Sequence, residues 1–261
     1  MEHCPTLEEL VVGQSFDMSS TQMQQILSSS PRLHTFVTLL DNGLPELKVM
    51  SFAAKLPHFM ANDFIDLDPA SDALKPWECE SSLRIFYAKI LGIPRSDVTT
   101  DYRGVPRLDV LQETYPGQTQ ELQSRVYERL ARFTRLEKLG LGHDDRDFDS
   151  VDFDEQSDDT DYQYDCLEMT LKSGLEILEG LKQLEELNVM RMTTRIGVDE
   201  VKWMRRNWPN LRTISGLDIG YGMENKIVPK MEDEMEDEVE AARWLKEEWP
   251  QLISTHYVIY Q

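Results

Sequence analysis

The sequence predicts an α/β fold of a particular kind, a leucine-rich-repeat solenoid shaped as a horseshoe. The seven-residue phrase at 208–214 is nearly repeated at 30–36, and a related phrase stands at 4–10. Apolar residues at helical spacing precede several copies, and four copies carry a proline at the same place. The copies also recur at an underlying spacing of about 25–27 residues, inside the window that is typical of irregular leucine-rich repeats.

Seven copies fit the pattern L-x-x-L-x-L, completely or in part. They begin at Leu7, Leu33, Leu83, Leu136, Leu184, Leu211 and Leu252. Successive copies begin 26, 50, 53, 48, 27 and 41 residues apart. Three of these intervals lie near twice 25, which indicates the shorter period with some copies missing. Alternate residues of a strand share one face, so each copy is interpreted as a short strand with its apolar side chains pointing one way.

A helix is predicted before several of these strands. Val198, Val201, Met204 and Trp208 recur at steps of three, three and four residues, which is one face of an amphipathic helix. Pro209 ends this helix, because proline disfavours the helical conformation in the residue before it. The same order of helix, proline and strand recurs at 23–36 and 241–257. One such unit cannot bury its apolar face alone, so the whole chain, 1–261, is predicted to be a single leucine-rich-repeat domain.

Three segments interrupt the repeats. Residues 41–80 are either a degenerate copy or a long loop, and the pattern does not decide between them. Residues 91–118 contain three prolines and three glycines and are predicted to be an excursion from the repeats. Residues 143–165 hold eleven acidic side chains and a single arginine. A run of like charges of this kind is typical of a solvated segment, so 143–165 is predicted to be an acidic flexible insertion.

A calcium-responsive loop is a weaker interpretation of that insertion. Asp145, Asp147 and Asp149 repeat the spacing of the first three ligands of an EF-hand loop. However, Ser150 stands where the sharp turn needs glycine, and Gln156 stands where a glutamate should close the site. Both departures disfavour a calcium site, and no metal ligand is assigned.

The charge and cysteine content exclude several classes of function. With 27 basic and 48 acidic residues, the formal net charge is −21, which disfavours binding to nucleic acid or to an anionic membrane and favours a basic protein partner. Three widely spaced cysteines do not form a disulfide or zinc pattern. There is no apolar run long enough to cross a membrane and no signal peptide at the start. The sequence therefore predicts a cytoplasmic or nuclear protein.

No catalytic pattern emerges from the sequence. None of the five histidines lies in a nucleophile-elbow or zinc-protease context, and there is no glycine-rich phosphate loop or dinucleotide fingerprint. The chain is therefore predicted not to be an enzyme and to use no cofactor.

A protein-binding surface is predicted instead on the concave face of the horseshoe, where parallel strands would lie side by side. The contact candidates are the polar side chains that stand between the apolar positions of the copies. They are Glu8, Glu9, Arg32, His34, Thr35, Arg84, Glu137, Lys138, Glu185, Glu186, Asn188, Arg212 and Thr213.

Residues 77–97, 167–192 and 195–217 resemble the C-terminal repeats of fungal F-box/leucine-rich-repeat-like proteins. The resemblance implies a repeat scaffold that recruits a protein substrate to a ubiquitin ligase. An F-box would dock on Skp1 in a Skp1–cullin–F-box (SCF) complex, but no F-box segment precedes the first copy, so Skp1 and cullin are expected as partners only if an F-box is supplied elsewhere. The alternatives are a stand-alone leucine-rich-repeat binding module and a truncated fragment without a link to the ligase.

Overall fold

The computed structural model describes residues 5–12, 18–38, 57–93, 116–142, 166–190, 192, 194–217, 243–245 and 247–255. The centre of the fold is a parallel sheet of seven strands, which follow one another in chain order. Each strand has three residues: β1 (Glu9–Val11), β2 (Thr35–Val37), β4 (Ile85–Tyr87), β6 (Lys138–Gly140), β7 (Glu186–Asn188), β8 (Thr213–Ser215) and β9 (Ile253–Thr255). A separate parallel pair joins β3 (His58–Met60) to β5 (Lys89–Leu91).

Helices connect some of these strands. The α-helices are α1 (Ser20–Ser29), α2 (Ala61–Ile65), α3 (Pro116–Ala131) and α4 (Val198–Asn207), and 3₁₀ helices span Glu78–Ser81 and Leu175–Gly180. Helix α1 begins with reciprocal capping, in which the Gln22 amide donates to Ser19 Oγ (3.3 Å) and the Ser19 amide donates to Gln22 Oε1 (2.8 Å). At α4 the Glu200 carboxylate accepts from the Gly197 amide at 3.0 Å.

The core lies on one side of the central sheet. The middle residue of β2, β4, β6, β7 and β8 is fully buried; these residues are Phe36, Phe86, Leu139, Leu187 and Ile214. The helices cover this side, with Met23 and Leu27 of α1 and Val201 and Met204 of α4 in the same apolar cluster. Since neighbouring residues of a strand point to opposite faces, the first and third residues of each strand point away from this core.

An aromatic cluster joins the small sheet to the large one. Phe59 of β3 lies 5.8 Å from Phe36 and 6.1 Å from Phe86, measured between ring centroids. Phe64 of α2 packs edge-on against both Phe59 (5.2 Å) and Trp77 (5.5 Å). Aromatic pairs at these separations add to the stabilisation that burial provides. The strands β3 and β5 and the helix α2 are therefore packed against the central sheet through a shared apolar core.

The predicted leucine-rich-repeat solenoid, a horseshoe of short irregular repeats, is wrong. The strands of the central sheet begin at Glu9, Thr35, Ile85, Lys138, Glu186, Thr213 and Ile253, so the second, third and fourth intervals are each close to twice the first. Strand β2 nevertheless pairs directly with β4, β4 with β6, and β6 with β7. No missing strand therefore stands between them in the sheet, and the three long intervals are not pairs of short repeats. The structure supports an α/β fold around a parallel central sheet with few helices.

Several predictions of single strands and helices agree with the structure, although the predicted fold class is wrong. A strand lies at each of the seven sequence copies, and helices lie at the predicted positions before Pro31 and Pro209. Within 41–80, the described residues from 57 onward contain β3, α2 and a 3₁₀ helix, so this segment is not one long loop. The acidic segment 143–165 and most of 91–118 lie outside the described residues, and the predictions made for them stay predictions.

Candidate functional site

A repeated backbone contact aligns the starts of neighbouring strands. The Glu8 carbonyl, just before β1, accepts hydrogen bonds from the amides of both His34 (2.8 Å) and Thr35 (3.3 Å). The same double contact recurs at the next four junctions, where the accepting carbonyls belong to His34, Arg84, Glu137 and Glu185. Because these five junctions repeat this geometry, side chains at equivalent positions from β1 to β8 line up across the sheet at the strand spacing of about 4.8 Å.

The side of the central sheet that faces away from the core carries these aligned side chains. We define the polar face as the first and third residues of each strand together with the residue that directly precedes the strand. Its charged side chains reach solvent, since Glu9 is 64% exposed, Arg84 is 57% exposed and Lys138 is 45% exposed, whereas Tyr87 and Ser215 are buried. The polar face is therefore accessible to a partner.

The structure brings the predicted contact residues together on this face. His34, Arg84, Glu137, Glu185 and Arg212 directly precede strands; Lys138, Glu186 and Thr213 are the first residues of strands; Asn188 is the third residue of β7. Arg32 lies in the turn before β2 and reaches the polar face through an ion pair with Glu8. Glu8, Glu9 and Thr35 lie at the corresponding positions of β1 and β2.

Ion pairs run across the strands of the polar face. Arg84 Nε donates to Glu137 Oε1 at 2.8 Å, which joins the residues preceding β4 and β6. Lys138 Nζ lies 3.1 Å from Glu186 Oε2, which joins the first residues of β6 and β7. Such exposed pairs contribute only about 0–1 kcal/mol each to stability. They orient the charged groups more than they hold the fold together.

Tyr87 is a buried aromatic side chain on the polar face, with 6% of its surface exposed. Its ring lies over Gly140 of the neighbouring strand, where a Cβ atom would come within 2.1 Å of Tyr87 Cδ1. Its hydroxyl donates to Glu186 Oε1, so the side chain extends from β4 across β6 to β7. Glycine is required at residue 140 because any side chain there would occupy the space of the tyrosine ring.

An apolar strip adjoins Tyr87 on the first three strands of the sheet. Val37 and Ile85 are partly buried and pack against the Tyr87 ring, and Val11 of β1 is 47% exposed. We define the apolar strip as Val11, Val37, Ile85 and Tyr87. The charged pairs of β6 and β7 lie directly beside this strip. An apolar centre with aromatic content beside a polar margin is the usual anatomy of a protein–protein interface.

The residues of this strip and Gly140 are not among the contacts predicted from the sequence. The predicted contacts are all polar side chains between the apolar positions, whereas the strip is formed by apolar and aromatic residues that also point away from the core. Strand alternation contains the signal that could have found them, because residues on either side of a buried strand centre share the opposite face. The contact between Tyr87 and Gly140 depends on the pairing of β4 with β6, two strands that are far apart in sequence.

A second polar cluster is buried and lies away from the polar face. Arg129 of α3 is fully buried; its Nη1 donates to Glu80 Oε1 at 2.7 Å and its Nη2 donates to the Ile65 carbonyl at 2.7 Å. The guanidinium carbon lies 4.3 Å from the centre of the Trp77 ring. Burial lowers the pKa of Arg129 to about 10, which leaves the group charged at neutral pH. This arrangement fastens α3 to the segment containing α2.

Asp66 completes this buried network. Burial by itself would raise the pKa of Asp66, but hydrogen bonds from Trp77 Nε1 and Lys75 Nζ, both 3.0 Å long, hold it below its ordinary value. The carboxylate is thus ionised and satisfied by neighbours of this chain. We assign the cluster a structural role, because its groups are directed at one another.

The described residues contain little that suggests chemistry at a metal or a thiol. Burial, followed by the nearby Glu80 charge, raises the pKa of Cys79 to about 12, so its nucleophilic thiolate is scarce at neutral pH. In the described ranges no group of three or more His, Cys, Asp or Glu side chains is placed to hold a metal ion. The aspartates of the weaker calcium interpretation, Asp145, Asp147 and Asp149, lie outside those ranges.

No helix in the described part of the chain combines the length and the apolar character needed to cross a membrane. A comparison with models of known protein families finds no match, and a comparison with curated proteins finds no significant match.

Proposed function

We propose that this chain is a non-catalytic protein-binding module that contacts its partner through the polar face. The observation that carries the proposal is the apolar strip of Val11, Val37, Ile85 and Tyr87 beside the cross-strand ion pairs of β4, β6 and β7. The apolar strip supplies apolar area that a partner can bury, and the charged pairs fix the orientation in which the partner binds.

Tyr87 orders the polar face from below, because only 6% of its surface is exposed. Its ring is confined by Gly140 and its hydroxyl donates to Glu186, so the Glu186 carboxylate is held in place before a partner binds. A preorganised binding group lowers the entropic cost of association.

The ion pairs favour specificity over strength. Arg84 with Glu137 and Lys138 with Glu186 present alternating charges at fixed positions. A partner with the complementary pattern gains from them, whereas a partner with the wrong pattern meets like charges, so such arrangements mainly select partners and speed association. The net charge of −21 further favours a basic partner and disfavours nucleic acid and anionic membranes.

The cellular setting that we propose comes from the sequence resemblance of 77–97, 167–192 and 195–217. In that setting the polar face recognises the substrate of an F-box-like ubiquitin-ligase adaptor in the cytoplasm or nucleus, with the F-box supplied by another chain or segment. The alternative setting is a stand-alone binding module without a ligase.

Affinity capture from native extract tests both parts of the proposal. The test variant combines Arg84→Glu with Lys138→Glu, which reverses two charges on the polar face. The control combines Lys172→Glu with Lys202→Glu, two exposed lysines in other parts of the fold. Both variants change the net charge in the same direction, and thermal unfolding monitored by circular dichroism checks that both are folded.

We expect the wild type and the control to capture the same proteins and the polar-face variant to lose them. Equal capture by the two variants would contradict binding through the polar face. Mass spectrometry of the captured proteins distinguishes the settings, because Skp1 and cullin are expected only for the ligase adaptor.

A further inference from the structure

The outer edge of β1 has backbone hydrogen-bonding groups that face away from β2 and pair with no strand among the described residues. Strand β1 ends the order of the central sheet and pairs with β2 on one side. The Glu8 carbonyl accepts from β2, and the Val12 amide donates to the Val37 carbonyl at 2.8 Å. Backbone groups of a strand face its two neighbours alternately, so the amides and carbonyls of Glu9 and Val11 face outward. No other strand in the described part of the chain pairs with that edge.

The rest of the sheet shows how such an edge is filled. At the five junctions from β1 to β8, the amides of the residue preceding a strand and of its first residue converge on one carbonyl, which belongs to the residue preceding the neighbouring strand. For Arg84 and Ile85 the two distances to the His34 carbonyl are 2.9 and 3.0 Å. The amides of Glu8 and Glu9 occupy the same two positions on β1. A further parallel strand therefore has a defined register, with one carbonyl opposite Glu8 and Glu9.

The side chains at this edge are both apolar and acidic. Leu10 is only partly buried, whereas the equivalent residues of β2, β4, β6, β7 and β8 are fully buried. Val11 is 47% exposed, and the carboxylates of Glu8 and Glu9 are 49% and 64% exposed. The core is therefore incompletely covered here, beside two negative charges.

These charges indicate what fits the edge. A second copy of this chain would bring another Glu8 and Glu9 and a second net charge of −21, so repulsion disfavours it. Glu8 is already paired with Arg32, which leaves the 64% exposed Glu9 as the stronger attraction for a cation. An extended segment with lysine or arginine alternating with apolar residues would bring positive charge to Glu9 and cover Leu10 and Val11. Exposed strand edges are common sites for the addition of a partner's strand.

We infer that the β1 edge accepts an extended basic segment of a partner protein as an additional parallel strand. The site shares Glu9 and Val11 with the polar face, but its hydrogen bonds come from the backbone of these residues. The polar-face variant Arg84→Glu with Lys138→Glu leaves β1 unchanged, so the two proposals can fail or succeed independently.

A blocked hexapeptide of alternating lysine and valine is the probe, labelled for fluorescence anisotropy and titrated into the full chain. Its control is the same peptide methylated on every backbone nitrogen, which keeps the charges but removes the hydrogen-bond donors. In parallel, amide NMR shifts of Glu9 and Val11 report whether binding occurs at this edge.

Two variants of the chain test the geometry. Val11→Pro removes an outward-facing donor, and an edge strand tolerates proline at such a position, so the fold should persist. Glu9→Lys reverses one charge at the edge, and Glu176→Lys makes the same change on the distant 3₁₀ helix. The polar-face variant Arg84→Glu with Lys138→Glu separates this site from the proposed one.

We expect the unmethylated peptide to bind the wild type and shift the Glu9 and Val11 amides. Val11→Pro should abolish binding, and Glu9→Lys should weaken it about five-fold, the size expected for reversing one exposed charge. Glu176→Lys and the polar-face variant should bind as the wild type does. No binding, equal binding of the methylated peptide, or unchanged binding by Val11→Pro would overturn the inference. So would a dimer of the free chain that Val11→Pro dissociates, because the occupant would then be a second copy.

Discussion

At the scale of single residues, the geometry of the polar face depends on one glycine and one tyrosine. Gly140 leaves room for the Tyr87 ring, which allows the Tyr87 hydroxyl to reach Glu186 two strands away. Glu186 in turn pairs with Lys138 at 3.1 Å. Three strands of the sheet are thus joined by side chains on their exposed side as well as by their backbones. This side-chain contact can be tested by substitution.

Gly140→Ala should destabilise the fold by about 1–3 kcal/mol, the usual cost of overpacking, because its new methyl group would overlap the Tyr87 ring. Gly180→Ala is the matched control, since a Cβ atom there meets nothing within 4 Å. Urea denaturation of both variants measures the free energy of unfolding. Equal stability of the two variants would show that Tyr87 does not occupy the space over Gly140.

Asp66 gives a prediction about pH. Because its folded-state pKa lies below the ordinary value of 3.8, the ionised carboxylate stabilises the fold above pH 3.8 and this contribution is lost as pH falls through the folded pKa. Asp66→Asn removes the charge and keeps a residue that tolerates the positive φ of 49°. We expect the variant to be less stable than the wild type at neutral pH.

The difference in unfolding free energy between wild type and Asp66→Asn should be constant near neutral pH and should shrink as pH falls below 3.8. Denaturation measured across a pH series checks this. A difference that grows on acidification would mean that the folded-state pKa of Asp66 is raised, and that the hydrogen bonds from Trp77 and Lys75 do not outweigh burial.

At the scale of secondary-structure elements, α3 is fastened to the rest of the fold by a buried charge. Arg129 contacts Glu80, the Ile65 carbonyl and the Trp77 ring. Removing Arg129 would leave Glu80 with only its longer contact to Arg132 and would take this donor from the Ile65 carbonyl, so the loss should exceed the net value of the ion pair. The attachment of α3 should therefore be sensitive to this single side chain.

Arg129→Met should cost about 3–5 kcal/mol, as expected when a buried charge pair loses one partner. Arg132→Met is the control, because Arg132 pairs with the same Glu80 at 3.5 Å but is 35% exposed; it should cost about 1 kcal/mol or less. Chemical denaturation compares the two. Similar small losses in both variants would show that Arg129 is not the anchor of α3.

The sequence predicted the positions of the strands and helices better than the way in which the strands pair. Each L-x-x-L-x-L copy coincides with a strand, because buried strand centres and their polar neighbours alternate locally. The solenoid prediction was wrong because a long interval between two copies looks like two short repeats in the sequence. The direct pairing of β2 with β4 is a tertiary contact, which the local pattern does not reveal. The predicted contacts at the first and third positions of a strand share one face because side chains alternate along the strand, whereas alternation does not place the contacts that directly precede a strand. Tyr87 and Gly140 were missed because their contact joins distant strands.

At the scale of the whole molecule, the sheet has one side covered by helices and one side exposed to solvent in the described residues. The parallel strands follow chain order, so this sheet lacks the reversal of strand order at which dinucleotide-binding α/β proteins hold their cofactor. What the exposed side offers instead is a broad surface with an apolar strip and oriented charges. Such a surface suits a partner of macromolecular size.

Competitive acetylation of lysines in the captured complex tests the central claim most directly. Lys138 lies on the polar face and is 45% exposed, whereas Lys202 is exposed on α4, in the layer that covers the other side of the sheet. Acetylation rates of both are measured in the free chain and in the complex by mass spectrometry. The proposal predicts that the partner slows acetylation of Lys138 and leaves Lys202 unchanged. Protection of Lys202 with Lys138 unchanged would place the partner on the helical side and contradict binding through the polar face.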